Sequence, residues 1–178
     1  MAISFKIIML ATLIVLSVLA GGCFMLIDSP SPSDEWYNKG LSAKNDKEAF
    51  SWFSKAAEAG YPPARRKLAK MYEEGEYVQQ NYAEAIKYYA EPAYFDDLYS
   101  QLHLGLCYIE SNEDNIRAFA WLTIAAVKGD DMARKKSDEI VLQMSPDQIN
   151  EANELIKGIR VLIYLKCRNF SYGICPSF

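Results

Sequence analysis

The 178-residue chain is 51% hydrophobic and 24% charged, a composition that excludes disorder over most of its length. This length suits one compact domain with an appended segment. The net charge of −4 argues against a nucleic-acid-binding protein, because phosphates require a basic protein surface.

The first 22 residues have the pattern of a secretory signal. Lys6 is the only charged residue before Asp28, and an almost unbroken apolar run over residues 7–20 leads to two glycines and Cys23. A basic start, an apolar stretch and small residues at its end are typical of an export signal. The sequence therefore predicts that the chain is exported.

Three fates of this signal stay open. Residues 18–20 suit ordinary signal cleavage, whereas residues 19–23 resemble a bacterial lipobox, in which Cys23 receives the lipid and becomes the first residue. Alanine stands where leucine is usual, three places before the cysteine. Uncleaved, the apolar run to Ile27 is just long enough to span a bilayer. We favour the lipoprotein, anchored to the membrane in the bacterial periplasm, with residues 23–33 as a short proline-containing tether.

From residue 34 onward the sequence repeats itself. The segment AFSWF at 49–53 matches AFAWL at 118–122, 69 residues later, and both are followed by two alanines and a glycine. AIKYY at 85–89 lies between them, and LAKMY at 68–72 matches LGLCY at 104–108, 36 residues later. Units of this length with two amphipathic helices are typical of an α-solenoid. The repeat predicts four helix pairs, at residues 34–44, 46–59, 63–75, 82–91, 98–110, 115–128, 131–144 and 146–158.

Capping residues support these helix boundaries. Asn45, Asn81, Asp114 and Ser145 place a side-chain acceptor just before a predicted helix, and all but Asp114 are followed three residues later by Glu or Gln. Gly60 and Gly129 can close the second helix of their units in the left-handed conformation.

The repeats resemble the Sel1-like repeat family, relatives of the tetratricopeptide repeats. Its units read A-x-x-x-L-G-x-x-Y, then a loop, then D-x-x-x-A-x-x-W-x-x-K-A-A-x-x-G. Residues 45–60 match the second half, Leu104, Gly105 and Tyr108 match the first, and residues 132–152 resemble a closing helix pair. The resemblance covers residues 34–158 and implies an all-α fold, a right-handed α-α superhelix. Residues 159–178 form a C-terminal tail without an assigned role.

Two units depart from the family pattern. The middle unit has residues 91–96 (EPAYFD) where K-A-A-x-x-G is expected. Pro92 has no backbone N–H, so it should kink or end its helix early. The third unit has Ser111 in place of the loop glycine and is three residues shorter. We therefore expect a distorted centre of the solenoid.

The resemblance implies an adaptor that binds a protein partner on its concave helical surface. Exported bacterial members are implicated in envelope processes, host contact and neutralising toxic effectors, so an envelope protein or a toxic effector is the expected partner. A periplasmic immunity protein is the narrower hypothesis. No metal or other cofactor is expected, and no enzyme activity, because phosphate loops, nucleophile elbows and metal-spaced histidines are absent from the sequence.

A cell-wall or β-lactam hydrolase is the alternative from another class. Some cysteine-rich relatives are described as binding or cleaving β-lactams, but their paired helical cysteines are absent here. His103, the only histidine, lies between two leucines, which favours a packed or edge position over a catalytic one.

Candidate partner-binding residues lie near the irregular middle unit. Tyr94, Phe95 and Tyr99 are aromatic, as binding hot spots often are, and Arg65 and Arg66 could receive partner carboxylates. Core packing for the aromatics and a solvated helix face for the arginines are the competing interpretations.

A disulfide is predicted in the tail. Cys167 and Cys175 are separated by seven residues that include Asn169 and Gly173, which could turn the chain back far enough for the two sulfurs to meet. An oxidising compartment would favour the bond. Two free thiols in a loosely ordered end remain the alternative.

Overall fold

The computed structural model describes residues 31–169 with the exception of residue 113. In this part of the chain all regular structure is helical. The helices are α1 (Pro32–Leu41), α2 (Asp46–Glu58), α3 (Pro62–Glu74), α4 (Tyr82–Tyr94), α5 (Leu98–Glu110), α6 (Asn115–Val127), α7 (Asp131–Val141) and α8 (Pro146–Asn169). The predicted all-α solenoid is thereby confirmed.

Side-chain caps define the helix starts, as predicted. Asn45, Asn81 and Asp114 each accept a hydrogen bond from the backbone N–H three residues on, at 2.9, 3.1 and 2.9 Å. Ser145 and Gln148 form a reciprocal capping box, in which each backbone N–H donates to the other's side chain. These contacts satisfy amide groups that the helices themselves leave without a partner.

The middle unit ends with the same local backbone as its neighbours, so the prediction that Pro92 ends its helix early is wrong. Helix α4 passes through Pro92 and ends at Tyr94, and it has the same 13 residues as α2 and α6. Pro92 lies in the last turn, and its ring is fully buried. Asp96 takes the place of the closing glycine and adopts the same left-handed conformation, with φ of 69° against 81° at Gly60 and 95° at Gly129. Aspartate is among the few residues that tolerate this conformation.

Packing runs in series along the chain and changes at its end. Each helix from α1 to α6 packs against the next, but α8 packs chiefly on α6 and touches α4, so α7 and α8 do not form the predicted closing pair. The predicted end of α8 at residue 158 is also wrong. The helix continues to residue 169 because Ile159 and Ile163, four residues apart, are buried in the main core.

Three hydrophobic clusters stabilise the described part of the chain. The first cluster, which is the main core, joins α3 to α6 with α7 and α8. The second cluster joins α1 to α4, and the third joins α5 to α7. Fully buried alanines in most of the helices allow the close approach that the repeat predicts; they include Ala56, Ala69, Ala85, Ala93, Ala118, Ala125 and Ala133. None of the helices described here is long and apolar enough to cross a membrane.

Candidate functional site

The first helices of two successive repeat units, α3 and α5, form a surface of polar and aromatic side chains. On α3, Arg66, Lys70 and Glu73 follow each other at spacings of four and three and therefore share one face. On α5, Tyr99 and His103 are four residues apart on the face directed at α3. We call these five residues the α3–α5 surface.

Tyr99 lies at the centre of this surface and is 36% exposed. Its ring stacks on His103 with 4.0 Å between the ring centroids, and the Arg66 guanidinium lies 5.7 Å from the ring centre. Partial burial raises the pKa of the Tyr99 hydroxyl, so the hydroxyl stays protonated beyond the pH at which a free tyrosine ionises. Tyr99 therefore offers an aromatic face and a hydroxyl in a fixed orientation.

Glu73 holds the α3 and α5 sides of the surface together. Both of its carboxylate oxygens lie 2.9 Å from Nδ1 of His103, and Oε2 accepts a 2.7 Å hydrogen bond from the hydroxyl of Tyr89. The Glu73 side chain is only 16% exposed. A carboxylate this enclosed is stabilised by such hydrogen bonds, so the Glu73–His103 pair fixes the helices and orients the histidine ring beneath Tyr99.

The turn between α4 and α5 borders the same surface. Asp97 caps α5 through the backbone N–H of Ser100 at 2.9 Å and pairs with Arg66 at 2.8 Å. Lys128, at the end of α6, pairs with Asp96, and Nε2 of Gln101 donates to the Ala93 carbonyl at 3.0 Å. Contacts from three elements thus hold this turn in place.

The structure distributes the sequence-predicted candidates among three environments. Arg66 and Tyr99 meet on the α3–α5 surface, and Phe95 shares a small cavity of about 150 Å³ with Arg66. Arg65 pairs with Glu91 on α4. Tyr94 packs edge-on against Trp121 in the core, with 5.0 Å between the ring centroids. Partner binding by these residues stays a prediction.

The predicted lipid and disulfide positions fall partly outside the described residues. Cys23 and Cys175 lie there, so the lipid anchor and the Cys167–Cys175 bond stay predictions. Cys167 itself lies next to the main core cluster.

Sequence reasoning missed Glu73 and Lys70. Both lie in a charged stretch of α3 that has the pattern of an ordinary solvated helix face. The repeat shows which positions of two units are equivalent, but it does not show which side chains of different units are in contact. Only the packing of α3 on the α4–α5 pair brings Glu73 to a histidine 30 residues later.

Two potential nucleophiles lie near the carboxylate of Glu73, and both are held in their protonated forms. Burial raises the pKa of the Tyr89 hydroxyl and of the Cys107 thiol, so these potential nucleophiles beside Glu73 and His103 remain protonated and weak. Among residues 31–112 and 114–169, no group of three or more His, Cys, Asp or Glu side chains could hold a metal ion.

Comparisons with known proteins agree with this architecture. The Sel1 repeat pattern matches residues 33–61, 62–91 and 98–130. The chain is similar to the crystal structure of a protective antigen present in uropathogenic Escherichia coli strains that displays an SLR fold, with 17% identity and a TM-score of 0.66 over 83% of this chain and 35% of that chain. It is also similar to a Sel1 repeat protein from Oxalobacter formigenes, with 26% identity and a TM-score of 0.54 over 75% of this chain and 60% of that chain.

The chain thus spans less than two thirds of the length of either of these structures. No curated protein matches it. The hydrolase alternative finds no support in these comparisons.

Proposed function

This chain belongs to the Sel1 repeat family, and we propose that it is an adaptor that holds a protein partner against the α3–α5 surface. Sel1 repeats generally bind protein partners. We choose this surface because Tyr99 is an exposed aromatic residue whose ring is held in place by contacts with His103 and Arg66.

The side chains of this surface are held in place before a partner binds, which suits the surface to binding. Tyrosine and arginine are enriched among hot-spot residues, and an orientation fixed before binding lowers the entropy lost in the complex. The neighbouring charges, with Lys70 paired to Glu74 at 3.1 Å, form the polar rim that surrounds a typical hot spot. The partner should therefore present a planar or apolar group to Tyr99 and polar groups around it.

Photocrosslinking tests the location of this surface. A photoreactive phenylalanine replaces Tyr99 in one variant of the full chain and Leu142 in another, and both are expressed in the native host. Leu142 is 86% exposed at the end of α7, so it serves as a control for nonspecific capture. We expect a discrete adduct from position 99 and none from position 142.

A purified partner then allows the energetic test. Tyr99→Ala should weaken binding by roughly 30-fold, as expected for a hot-spot residue worth about 2 kcal/mol, and Leu142→Ala should leave the dissociation constant within about twofold. Both variants must retain the circular dichroism spectrum of the parent chain. Identical adducts from both positions, or a Tyr99→Ala affinity equal to that of the parent, would refute the assignment.

We further propose that the adaptor works as a lipid-anchored periplasmic protein. The support is the signal-like pattern of residues 1–22 and the position of Cys23. Labelling with radioactive palmitate should mark the chain, and Cys23→Ala should abolish the label. Labelling that persists in Cys23→Ala, or a chain found only in the cytoplasm, would contradict this proposal.

The narrower proposal is that the adaptor neutralises a toxic effector. Its only support is the family resemblance. If the captured partner is an effector, an equimolar amount of the purified chain should abolish the effector's activity, and Tyr99→Ala should do so only at a large excess. An effector that keeps its activity in the complex would limit the function to scaffolding.

A further inference from the structure

We propose that the C-terminal half of α8 docks on the surface of an anionic phospholipid bilayer. This property is separate from partner binding at the α3–α5 surface. It rests on the exposure of apolar side chains on α8 and on the charge of the chain's last segment.

Helix α8 is apolar on two opposite faces beyond residue 158. Ile159 and Ile163 are each 2% exposed and pack into the main core. On the outer side, Val161 is 57% exposed, Leu162 47% and Leu165 44%. A surface helix of a globular protein normally has a polar outer face. These three exposed side chains form an apolar row, and we expect this row to contact a partner that removes it from water.

Basic residues flank the exposed apolar row. Lys157, Arg160 and Arg168 are exposed. Lys157 forms an exposed ion pair with Glu154 at 2.7 Å, and the row remains positively charged overall. Arg160 and Arg168 lie four residues before and after Tyr164 on the same side of the helix. Lys157, Arg160, Val161 and Tyr164 line a shallow groove of about 380 Å³. An apolar row beside a basic row, with a tyrosine between them, is the arrangement of helices that lie in the interface of a bilayer.

The charge distribution selects this occupant over others. Four basic residues and no acidic residue follow Glu154, although the whole chain has a net charge of −4. A second copy docked on α8 would bring two basic rows together, which is unfavourable. Anionic lipid headgroups supply the complementary charge, and each basic residue near such a surface contributes to binding.

The test uses residues 32–178, because the apolar N-terminal run would bind vesicles by itself. These residues form a compact unit of their own, and the hydrophobic clusters are built from side chains within it. Co-sedimentation is measured with vesicles of phosphatidylcholine and with vesicles containing about 30% phosphatidylglycerol. We expect at least tenfold stronger binding to the anionic vesicles, and added salt should weaken it.

Two sets of α8 variants separate the apolar and electrostatic contributions. Val161→Ser combined with Leu165→Ser should lower binding to anionic vesicles roughly tenfold. Lys157→Gln combined with Arg160→Gln and Arg168→Gln should lower it by roughly 100-fold and remove the preference for anionic lipid. All these side chains are exposed, so the helical circular dichroism signal should not change.

Control variants carry substitutions of the same kinds on other helices. Val127→Ser with Leu142→Ser removes two apolar side chains that are 74% and 86% exposed, and Arg134→Gln with Lys135→Gln removes two exposed charges from α7. Both controls should bind within about twofold of the parent. The proposal is overturned if residues 32–178 do not bind anionic vesicles, or if the controls lose as much binding as the α8 variants.

Two further results would reassign the apolar row. Self-association that the Val161→Ser and Leu165→Ser pair abolishes, without vesicle binding, would show that a second copy covers it. Vesicle binding that depends on residues 170–178 and not on the α8 variants would assign the lipid contact to that segment instead.

Discussion

At the residue scale, one hydroxyl group distinguishes a core position of the middle unit from the same position of the first unit. Tyr89 is fully buried and stands 36 residues after Phe53, at the equivalent position of the first unit. A phenyl ring there only fills the core, whereas the Tyr89 hydroxyl gives Glu73 a hydrogen-bond partner at 2.7 Å. The repeat aligns these two aromatic residues with each other. The sequence did not indicate that the Glu73 carboxylate is enclosed here, because Glu73 lies on a different helix from Tyr89.

Replacing Tyr89 should change how stability depends on pH. Burial and the nearby Glu73 raise the pKa of Tyr89 well above its usual value of 10.0, so above about pH 10 only the unfolded state releases this proton. Folded molecules then bind more protons than unfolded ones, and the stability contributed by Tyr89 falls as pH rises, by up to about 1.4 kcal/mol per pH unit. Tyr89→Phe should reduce this slope in urea denaturation measured between about pH 8 and 11.

The reduction should be partial, because burial also raises the pKa of Tyr99 and Tyr108. Tyr164→Phe, which alters a tyrosine that is 40% exposed, is the control for the loss of a hydroxyl group. A Tyr89→Phe slope equal to that of the parent chain would show that Tyr89 ionises without unfolding.

At the element scale, sequence signals predicted helix starts better than helix ends. The starts of α2 and of α4 to α8 agree with the prediction, because a cap is a local interaction between residues three apart in sequence. The end of α8 could not be predicted in this way, since Gly158 weakens a helix locally while burial of Ile159 and Ile163 on α6 extends it. At Pro92, packing likewise outweighed the lost backbone donor.

Two helical glycines provide a matched test of close helix packing. A Cβ atom at Gly105 would lie 2.7 Å from Cγ of Leu122 and 3.2 Å from its backbone N, whereas one at Gly158 would meet nothing within 4 Å. Gly105→Ala should therefore force α5 and α6 apart and cost about 1–3 kcal/mol. Gly158→Ala should stabilise by about 0.5–1 kcal/mol, because alanine loses less entropy in a helix.

Urea denaturation midpoints of both variants, compared with the parent chain, measure these changes. Equal effects of the two substitutions would mean that intrinsic helix propensity, and not the α5–α6 contact, determines the outcome at Gly105.

At the scale of the whole described unit, the order of packing follows the order of the chain. The repeat spacing was enough to predict this serial arrangement, because each unit can bury its apolar face only against its neighbours. The spacing could not predict the placement of α8, which departs from the series. It also could not predict which surface residues meet, since the α3–α5 surface depends on the lengths and directions of side chains from different units.

Serial packing predicts that damage to one end of the stack stays local. Phe53 belongs to the second cluster, which lies among α1 to α4, and Trp121 belongs to the first cluster, which extends to α8.

Replacing either residue by alanine removes a buried aromatic ring and should cost about 3–5 kcal/mol of local stability. Hydrogen exchange followed by mass spectrometry should show faster exchange in α1 to α3 for Phe53→Ala, with α5 to α8 unchanged, and faster exchange in α3 to α8 for Trp121→Ala. Tyr88 contacts both clusters, so it offers one route for a broader effect. Uniformly faster exchange in Phe53→Ala would mean that the two clusters unfold as one cooperative unit, and the α3–α5 surface would then depend on the integrity of the whole stack.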